Sequence, residues 1–376
     1  MSGSGSLPAV ILVGGEGTRL RPLTVSTPKP MLPLVDRPLL AYTFEHLARH
    51  GVDRAILSCG YLPTQIEAHF GDRHGELELA YRVEPAPLGT GGGIRFGADG
   101  IDRTFVALNG DVLHGADLAA MLAFHRERGA TGTILLTPVE DPSRYGLVRV
   151  HSDDGRVLSF LEKPRPEEID TNLINAGLYV LEPEVLELVE PGRPVSIERD
   201  VFPRLVETGS LYGYRLDGYW RDIGTPESYL EAHHDVLERT FASDLGDALG
   251  DDYMLISPDA QVDSGARLVP PVYVGAGATI EAGARVGSHA VVGAGVVVGR
   301  GVRIDSSVVA AGARVGERTS VIGSIVGERA TIGAGSQVHG LAVVGPGAQV
   351  GEGNMLDHGV RIASDVTIPP GALTFS

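Results

Sequence analysis

Only two of the 31 basic residues are lysines, Lys29 and Lys163. At ordinary composition roughly twenty would be expected. A coding bias towards arginine accounts for the scarcity, so the two that persist mark positions to read first. An ammonium is a compact, strongly hydrated point charge, whereas a guanidinium is a broad planar fork. Lys29 stands in Pro28-Lys29-Pro30, ten residues after Arg19, which closes the stretch Gly14-Gly15-Glu16-Gly17-Thr18-Arg19. Glycines that follow a strand let backbone N–H groups approach phosphate. Two fixed cations beside such a loop suit a triphosphate. The stretch is not a dinucleotide fingerprint, because Leu20 stands where the third glycine belongs. It is not a Walker loop either, since no Gly-Lys-Ser/Thr follows. The second lysine lies in Glu162-Lys163-Pro164.

Two carboxylates have positions that suit a hard cation. Asp111, in Asn109-Gly110-Asp111, comes just past the apolar run Phe105–Leu108, and Asp222 lies in Trp220-Arg221-Asp222-Ile223-Gly224. Mg²⁺ is usually held by one or two carboxylates plus substrate phosphates. The alternative for each is an ordinary turn carboxylate, with Asp222 beside the helix cap Thr225. A second Gly/Pro-rich stretch, Glu84-Pro85-Ala86-Pro87-Leu88-Gly89-Thr90-Gly91-Gly92, reads as a loop after a strand and as a wall for a base. Tyr145-Gly146 reads as a turn, and Asn175-Ala176-Gly177 as a strand edge carrying a polar residue. Ser196-Ile197-Glu198 reads equally well as a helix N-cap.

These residues need a scaffold. Ala9–Val13 is a continuous apolar run, as in a strand buried on both faces of a parallel sheet. Leu39–His50 is patterned as an amphipathic helix stopped at Gly51. Ala55–Ser58, Leu79–Val83, Phe105–Leu108 and Thr133–Pro138 read as strands, and Asp117–Arg128 and Glu227–Phe241 as helices, the latter with Thr225 as N-cap and Pro226 in its first turn. The alternation predicts a layered α/β domain with a parallel or mixed sheet, whose ligands bind at the carboxyl ends of strands.

The chain changes character near residue 250. Of its 21 aromatic residues only Tyr253, Tyr273 and Phe375 lie beyond residue 252. Aliphatic residues then recur every six positions, from Ile256, Val262, Leu268 and Val274 through Ile280, Val286, Val292 and Val298 to Ile304. The phase slips and resumes at Val326, Ile332, Val338, Val344, Val350, Leu356, Ile362 and Ile368. Each unit is a short strand and a tight turn, three units to a coil. The pattern resembles the hexapeptide-repeat left-handed parallel β-helices. The domain boundaries expected are 1–241 for the α/β part, 242–252 for a linker and 253–376 for the β-helix.

The chain has 376 residues, 48 acids against 31 bases and a net charge of −17. That length fits two domains. The acidic balance argues against nucleic acid and an anionic membrane as partners. Any phosphate site must be a local basic pocket. The single Cys59 excludes an intrachain disulfide and a cysteine zinc site, and it suits a reducing, cytoplasmic setting. No apolar run approaches the ~18 residues of a membrane span. The segment Met1–Ser6 reads as a loose tail and not a signal peptide.

GGEGTRLRPLT followed by STPKPMLPL resembles the signature of the sugar-1-phosphate nucleotidyltransferases, most closely the mannose-1-phosphate guanylyltransferases. The likeness covers most of residues 8–240, and the β-helix tail fits the family too. The fold implied is a Rossmann-like nucleotidyltransferase domain with a mixed sheet, followed by the left-handed β-helix. The implied activity is Mg²⁺-dependent attack of a sugar-1-phosphate on the α-phosphate of a nucleoside triphosphate, releasing pyrophosphate. The resemblance implies that Leu12, Gly14, Gly15, Gly17, Thr18, Arg19, Lys29, Glu84, Pro87, Leu88, Gly89, Thr90 and Asp111 bind the nucleotide. Gly146, Glu162, Lys163 and Asn175 would bind the sugar phosphate, and Asp111 and Asp222 the metal. Arg19, Lys29 and Lys163 would carry catalysis. The Pro-Leu-Gly-Thr-Gly form at residues 87–91 is similar to the guanylyltransferases, which points to GTP. Mannose-1-phosphate is the expected acceptor; glucose-1-phosphate, heptose phosphates or a cyclitol phosphate remain alternatives. A homo-oligomer is expected, with the β-helix faces as packing surfaces. Two other classes stand beside this reading. One is a hexapeptide acyltransferase using His289, His339 or His358; the other is a non-catalytic regulatory relative.

Overall fold

The computed structural model describes residues 7–374; the Met1–Ser6 tail and Phe375 lie outside the described residues. The chain packs as two compact units. One comprises the chain up to Glu16 and Leu40–Trp220, the other Gly17–Leu39 and Arg221 onwards.

The first unit is built on a ten-stranded mixed sheet. The elements that position the pocket and its surroundings are, in chain order, β1 Leu7–Leu12, α1 Leu39–Arg49, β2 Val52–Cys59, β3 Arg73–His74, β4 Leu77–Val83 and α2 Gly89–Gly97. There follow β5 Phe105–Asn109, α3 Leu118–Arg128, β6 Gly132–Pro138, β7 Gly146–Val150, β8 Val157–Glu162, β9 Leu173–Leu181 and β10 Leu211–Arg215. Neighbouring strands run β8-β7-β9-β5-β1-β2-β4-β3, and β6 pairs with both β9 and β10. The centre is parallel: β1 lies between β2 and β5, and β2 pairs with β4. Ala9, Val10 and Ile11 are fully buried, which is why this strand reads as an unbroken apolar run. The antiparallel strands β7, β8 and β9 complete the mixed sheet.

One expected loop is partly helix. Residues 89–97, GTGGGIRFG, form α2, although glycine costs about 1 kcal/mol per position relative to alanine in a helix interior. The reason is close approach to the sheet: a Cβ on Gly97 would sit 2.5 Å from Val10 Cγ1 on β1. Packing therefore overrides propensity here.

In the second unit the six-residue repeat forms a parallel β-helix of three sheets with seven, seven and six strands. The phase slip is two local deletions. Val309, Val315 and Val321 continue the inward series between Ile304 and Val326 and are buried with it. The shortened turns lie at Ser306, with φ 46°, and Gly323, with φ 56°. Outward positions on two faces are mostly polar, for example Arg267, Arg285 and Arg303 in register on one and Thr279, Arg314, Thr331 and Gln349, with Val297 among them, on another. On the third face the outward row runs Leu255, Tyr273, Val291, Val308, Ile325, Val343 and finally Arg361. That face is covered within the unit. Leu23, Leu32, Pro33 and Tyr229 close over Val308 and Ile325, leaving a gap of only about 20 Å³.

Helix α4 Pro226–Leu237 begins as expected, with Thr225 Oγ1 accepting from Ser228 N at 3.2 Å. It stops short of Phe241, because Arg239 adopts a left-handed backbone with φ 60°. The stretch 242–252 contains a further short helix, α5 Asp244–Ala248, capped by Ser243. The three repeat histidines are engaged locally: His289 Nε2 with Glu238, His339 Nε2 with Ser320 Oγ at 2.7 Å, and His358 beside Asp357.

Candidate active site

Four parallel strands deliver one pocket of about 580 Å³ in the first unit. Leu12, Gly14, Gly15 and Glu16 follow β1; Gly60 and Tyr61 follow β2. Glu84–Pro87 follow β4, Gly89 and Thr90 open α2, Asn109 ends β5 and Asp111 lies just past it. Every contributor sits at a strand's carboxyl end or a helix's amino end. The exposed N–H groups and the positive end of the helix dipole both favour an anion there.

The walls are held by specific bonds. Glu84 Oε1 accepts from Ser58 Oγ at 2.9 Å and Oε2 accepts from Leu88 N at 3.0 Å, which folds the Pro-rich loop over its own carboxylate. Leu88 is itself buried, and its carbonyl accepts from Val195 N at 2.8 Å. Gly60 abuts the first glycine loop so closely that a Cβ would lie 2.9 Å from Gly14 O. Gly60, Tyr61 and Asn109 escaped the sequence reading. The dipeptide Gly60-Tyr61 immediately after a predicted strand was the available signal.

The Thr90 hydroxyl donates to Glu198 Oε2 at 2.6 Å and accepts from Ile197 N at 2.9 Å. Ser196 Oγ donates to the same Glu198 oxygen at 2.7 Å and also caps the following π-turn at Arg199 N. The cap reading of Ser196 thus holds, while Glu198 ties α2 to the far side of the sheet.

That far side carries the second group of candidates. Gly146 on β7 pairs with Glu162 on β8, and Lys163 N donates to Tyr145 O at 3.2 Å. Lys163 is exposed and takes a left-handed backbone, φ 53°, immediately after the strand. Burial, then the nearby Glu198 carboxylate, pushes the Glu162 carboxyl above its ordinary range, with Lys163 opposing. On β9 the ladder to β6 slips between Asn175 and Tyr179. In that bulge Asn175 Nδ2 donates to Tyr179 Oη at 2.9 Å, and its Oδ1 accepts from Gly177 N at 3.0 Å. Gly177 abuts Asn109 of the pocket: a Cβ there would be 2.7 Å from Asn109 Nδ2. The bulge therefore joins the sugar candidates to the pocket wall. Trp220 Nε1 donates to Ala176 O at 2.9 Å, and its ring meets Tyr145 edge-on at 5.5 Å.

Gly17, Thr18, Arg19, Lys29 and Asp222 belong to the second unit. Gly17 is left-handed, φ 61°, and its carbonyl accepts from Thr24 Oγ1 at 2.8 Å, closing the loop into the 3-10 turn Thr18–Leu20. Lys29 is 6% exposed, and its Nζ lies 3.8 Å from Asp222 Oδ1. Gly224 packs against the same corner: a Cβ there would be 2.7 Å from Arg19 Nη2 and 3.0 Å from Asp222 Oδ2. Two cations and one carboxylate are thereby gathered. The metal candidates Asp111 and Asp222 are both hard oxygen donors, the chemistry Mg²⁺ selects.

A strand-end pocket walled by glycine loops is the mark of a nucleotide-handling α/β unit. The chain belongs to the nucleotidyl transferase family, whose model, described as Nucleotidyl transferase, matches residues 8–239. A second model, the GMPPB C-terminal domain, matches residues 268–369. Among curated proteins the chain is 44% identical over 277 residues to mannose-1-phosphate guanylyltransferase of Mycobacterium tuberculosis, covering 72% of this chain and 76% of that one. It is 36% identical over 376 residues to the Schizosaccharomyces pombe mannose-1-phosphate guanyltransferase, covering 96% and 99%. Among solved structures, HddC from Yersinia pseudotuberculosis complexed with GMP-PN matches at 31% identity and TM-score 0.53, over 61% of this chain and 99% of that one. UDP-glucose pyrophosphorylase from Acinetobacter baumanii matches at 26% and 0.57, over 65% and 97%.

Proposed function

We propose that the chain transfers a guanylyl group from GTP to mannose-1-phosphate, giving GDP-mannose and pyrophosphate. The observation that carries this reading is the likeness, at 34–44% identity, to relatives named for that reaction. The guanine choice is further supported by the HddC structure, complexed with GMP-PN. The strand-end pocket formed by Leu12, Gly14, Gly15, Glu84, Pro87, Gly89, Thr90 and Asp111 is where the nucleotide is proposed to bind. Leu88 contributes through the loop that Glu84 folds.

The sugar phosphate is already an anionic nucleophile, so neither a covalent intermediate nor a general base is needed. The barrier is anion repulsion and alignment, and it is lowered by fixed cations and in-line placement. Arg19 and Lys29, with the backbone of Gly17 and Thr18, are assigned to the triphosphate. Lys163 is assigned to the attacking phosphate, and Glu162, Gly146 and Asn175 to the sugar. Asp111 and Asp222 would hold Mg²⁺, which when bound supplies further neutralisation of phosphate charge. Residues 1–241 are proposed as the catalytic part, 242–252 as the linker and 253–376 as the β-helix part, in a cytoplasmic homo-oligomer.

The test is pyrophosphate release with Mg²⁺ across a panel of nucleoside triphosphates and sugar- and cyclitol-1-phosphates. Preference for GTP with mannose-1-phosphate supports the reading. Preference for another pair revises the substrates, and no release with any pair overturns the function.

A further inference from the structure

We infer that Arg361, in the penultimate strand of the β-helix, is a positioning residue for the phosphate-contacting loop. The inference rests on the assignment of Arg19 to the triphosphate. The outward residues on the third β-helix face are apolar in six successive coils and end, in register with Val343, on Arg361. Val291, Val308, Ile325 and Val343 are all at most 3% exposed beneath the chain that covers them. One more aliphatic would continue that apolar contact. An arginine instead brings a charged donor.

That donor is used. Arg361 Nη1 donates to the carbonyl oxygens of Arg19 at 2.7 Å and Arg21 at 3.0 Å. From the next turn Ser364 Oγ donates to Pro22 O at 3.4 Å. Within the Thr18–Leu20 turn Arg21 N bonds Thr18 O and Leu23 N bonds Leu20 O, whereas the residue three beyond Arg19 is Pro22, which has no N–H to offer the Arg19 carbonyl. Arg19 is thus restrained at both ends: its backbone by Arg361, and its guanidinium by close packing on Gly224 beside Asp222. The β-helix therefore sets the direction of a cation whose proposed work is at the triphosphate. It acts through Arg19 and not by touching substrate.

The experiment uses the full-length protein, varying GTP and mannose-1-phosphate separately, or the best pair found in the panel. Arg361→Ala is expected to lower kcat/KM for the nucleotide about ten- to a hundredfold. KM for the sugar phosphate should change by no more than about twofold. Tm should stay within about 2 °C, since the side chain is exposed. Arg361→Lys, which keeps a charged donor, should recover most of the loss. Unchanged nucleotide kcat/KM in Arg361→Ala overturns the inference. So does an equal loss for both substrates with a lowered Tm, which would make Arg361 merely structural. Should Arg361→Ala not fold, Arg361→Gln decides by the same two criteria. Failure of the wild type to release pyrophosphate would fault the functional reading; an active wild type with an indifferent Arg361→Ala faults this inference alone.

Discussion

Lys29 and Lys163 occupy contrasting settings: one is buried against Asp222, the other exposed past the end of β8. Both are proposed to neutralise phosphate, so Lys29→Ala and Lys163→Ala should each lower kcat/KM by about a hundredfold or more. Lys163→Arg should also be poor, because a planar fork does not replace a point charge. Full activity in Lys163→Arg, read in the pyrophosphate assay, would leave that lysine an accident of composition. Glu162 yields a pH-dependent test. Burial raises its carboxyl, so ionisation costs folding stability above that raised value, and the cost disappears as pH falls through it. Glu162→Gln should therefore melt above the wild type at neutral pH, with the gap closing as pH is lowered through the raised value. Its activity should fall, because the carboxylate proposed to bind the sugar is lost. A lower melting temperature at neutral pH would contradict this sign. At this scale the lysines were visible in the sequence by rarity. Ser196-Ile197-Glu198 was visible as a segment, but the tie Glu198 makes was not, because it depends on Thr90 and Ser196 meeting at one oxygen.

Helix α2 shows what an element costs and why it exists. Alanine at Gly97 would gain about 1 kcal/mol of helix propensity. Its Cβ would also press to 2.5 Å from Val10 Cγ1, and overpacking of that kind costs about 1–3 kcal/mol. Gly97→Ala should therefore lower the urea midpoint. The double variant Gly97→Ala/Val10→Ala should be more stable than the sum of the single changes, because the clash is gone. Strict additivity would show that the contact does not matter. Sequence periodicity placed α1, α3 and the parallel strands to within a few residues, since those elements bury a face by a regular pattern. It missed α2 because glycine-rich sequence reads as loop, and only the neighbouring strand explains its helicity. The end of α4 was misplaced for the same kind of reason: residue 239 turns left-handed where the pattern alone would continue.

For the molecule as a whole, the grouping of Gly17–Leu39 with the β-helix matters most. That segment carries Arg19 and Lys29 and covers apolar outward residues of the third face. Removal of residues 253–376 should therefore do more than change the oligomer. The shortened chain is expected to expose Leu23, Leu32 and Pro33, bind a hydrophobic dye, aggregate, and lose pyrophosphate release. A monodisperse and active fragment by light scattering and assay would refute that dependence. Among the described residues no helix is long and apolar enough to cross a membrane.

The six-residue period, the buried parallel strands and the order of the glycine and lysine motifs were legible in the sequence by itself. Each is a local pattern, and burying one face of a short segment needs no knowledge of its partner. The phase slip was visible too, although its resolution into two one-residue deletions at the turns required the coils to be stacked. What only the tertiary structure decided are meetings between distant residues. Gly60 closes on Gly14, the β9 bulge brings Gly177 to Asn109, and Arg361 reaches the carbonyls of Arg19 and Arg21 across 342 and 340 positions. Such contacts depend on how far each strand twists and where each coil stops, and neither quantity is written in the spacing of residues.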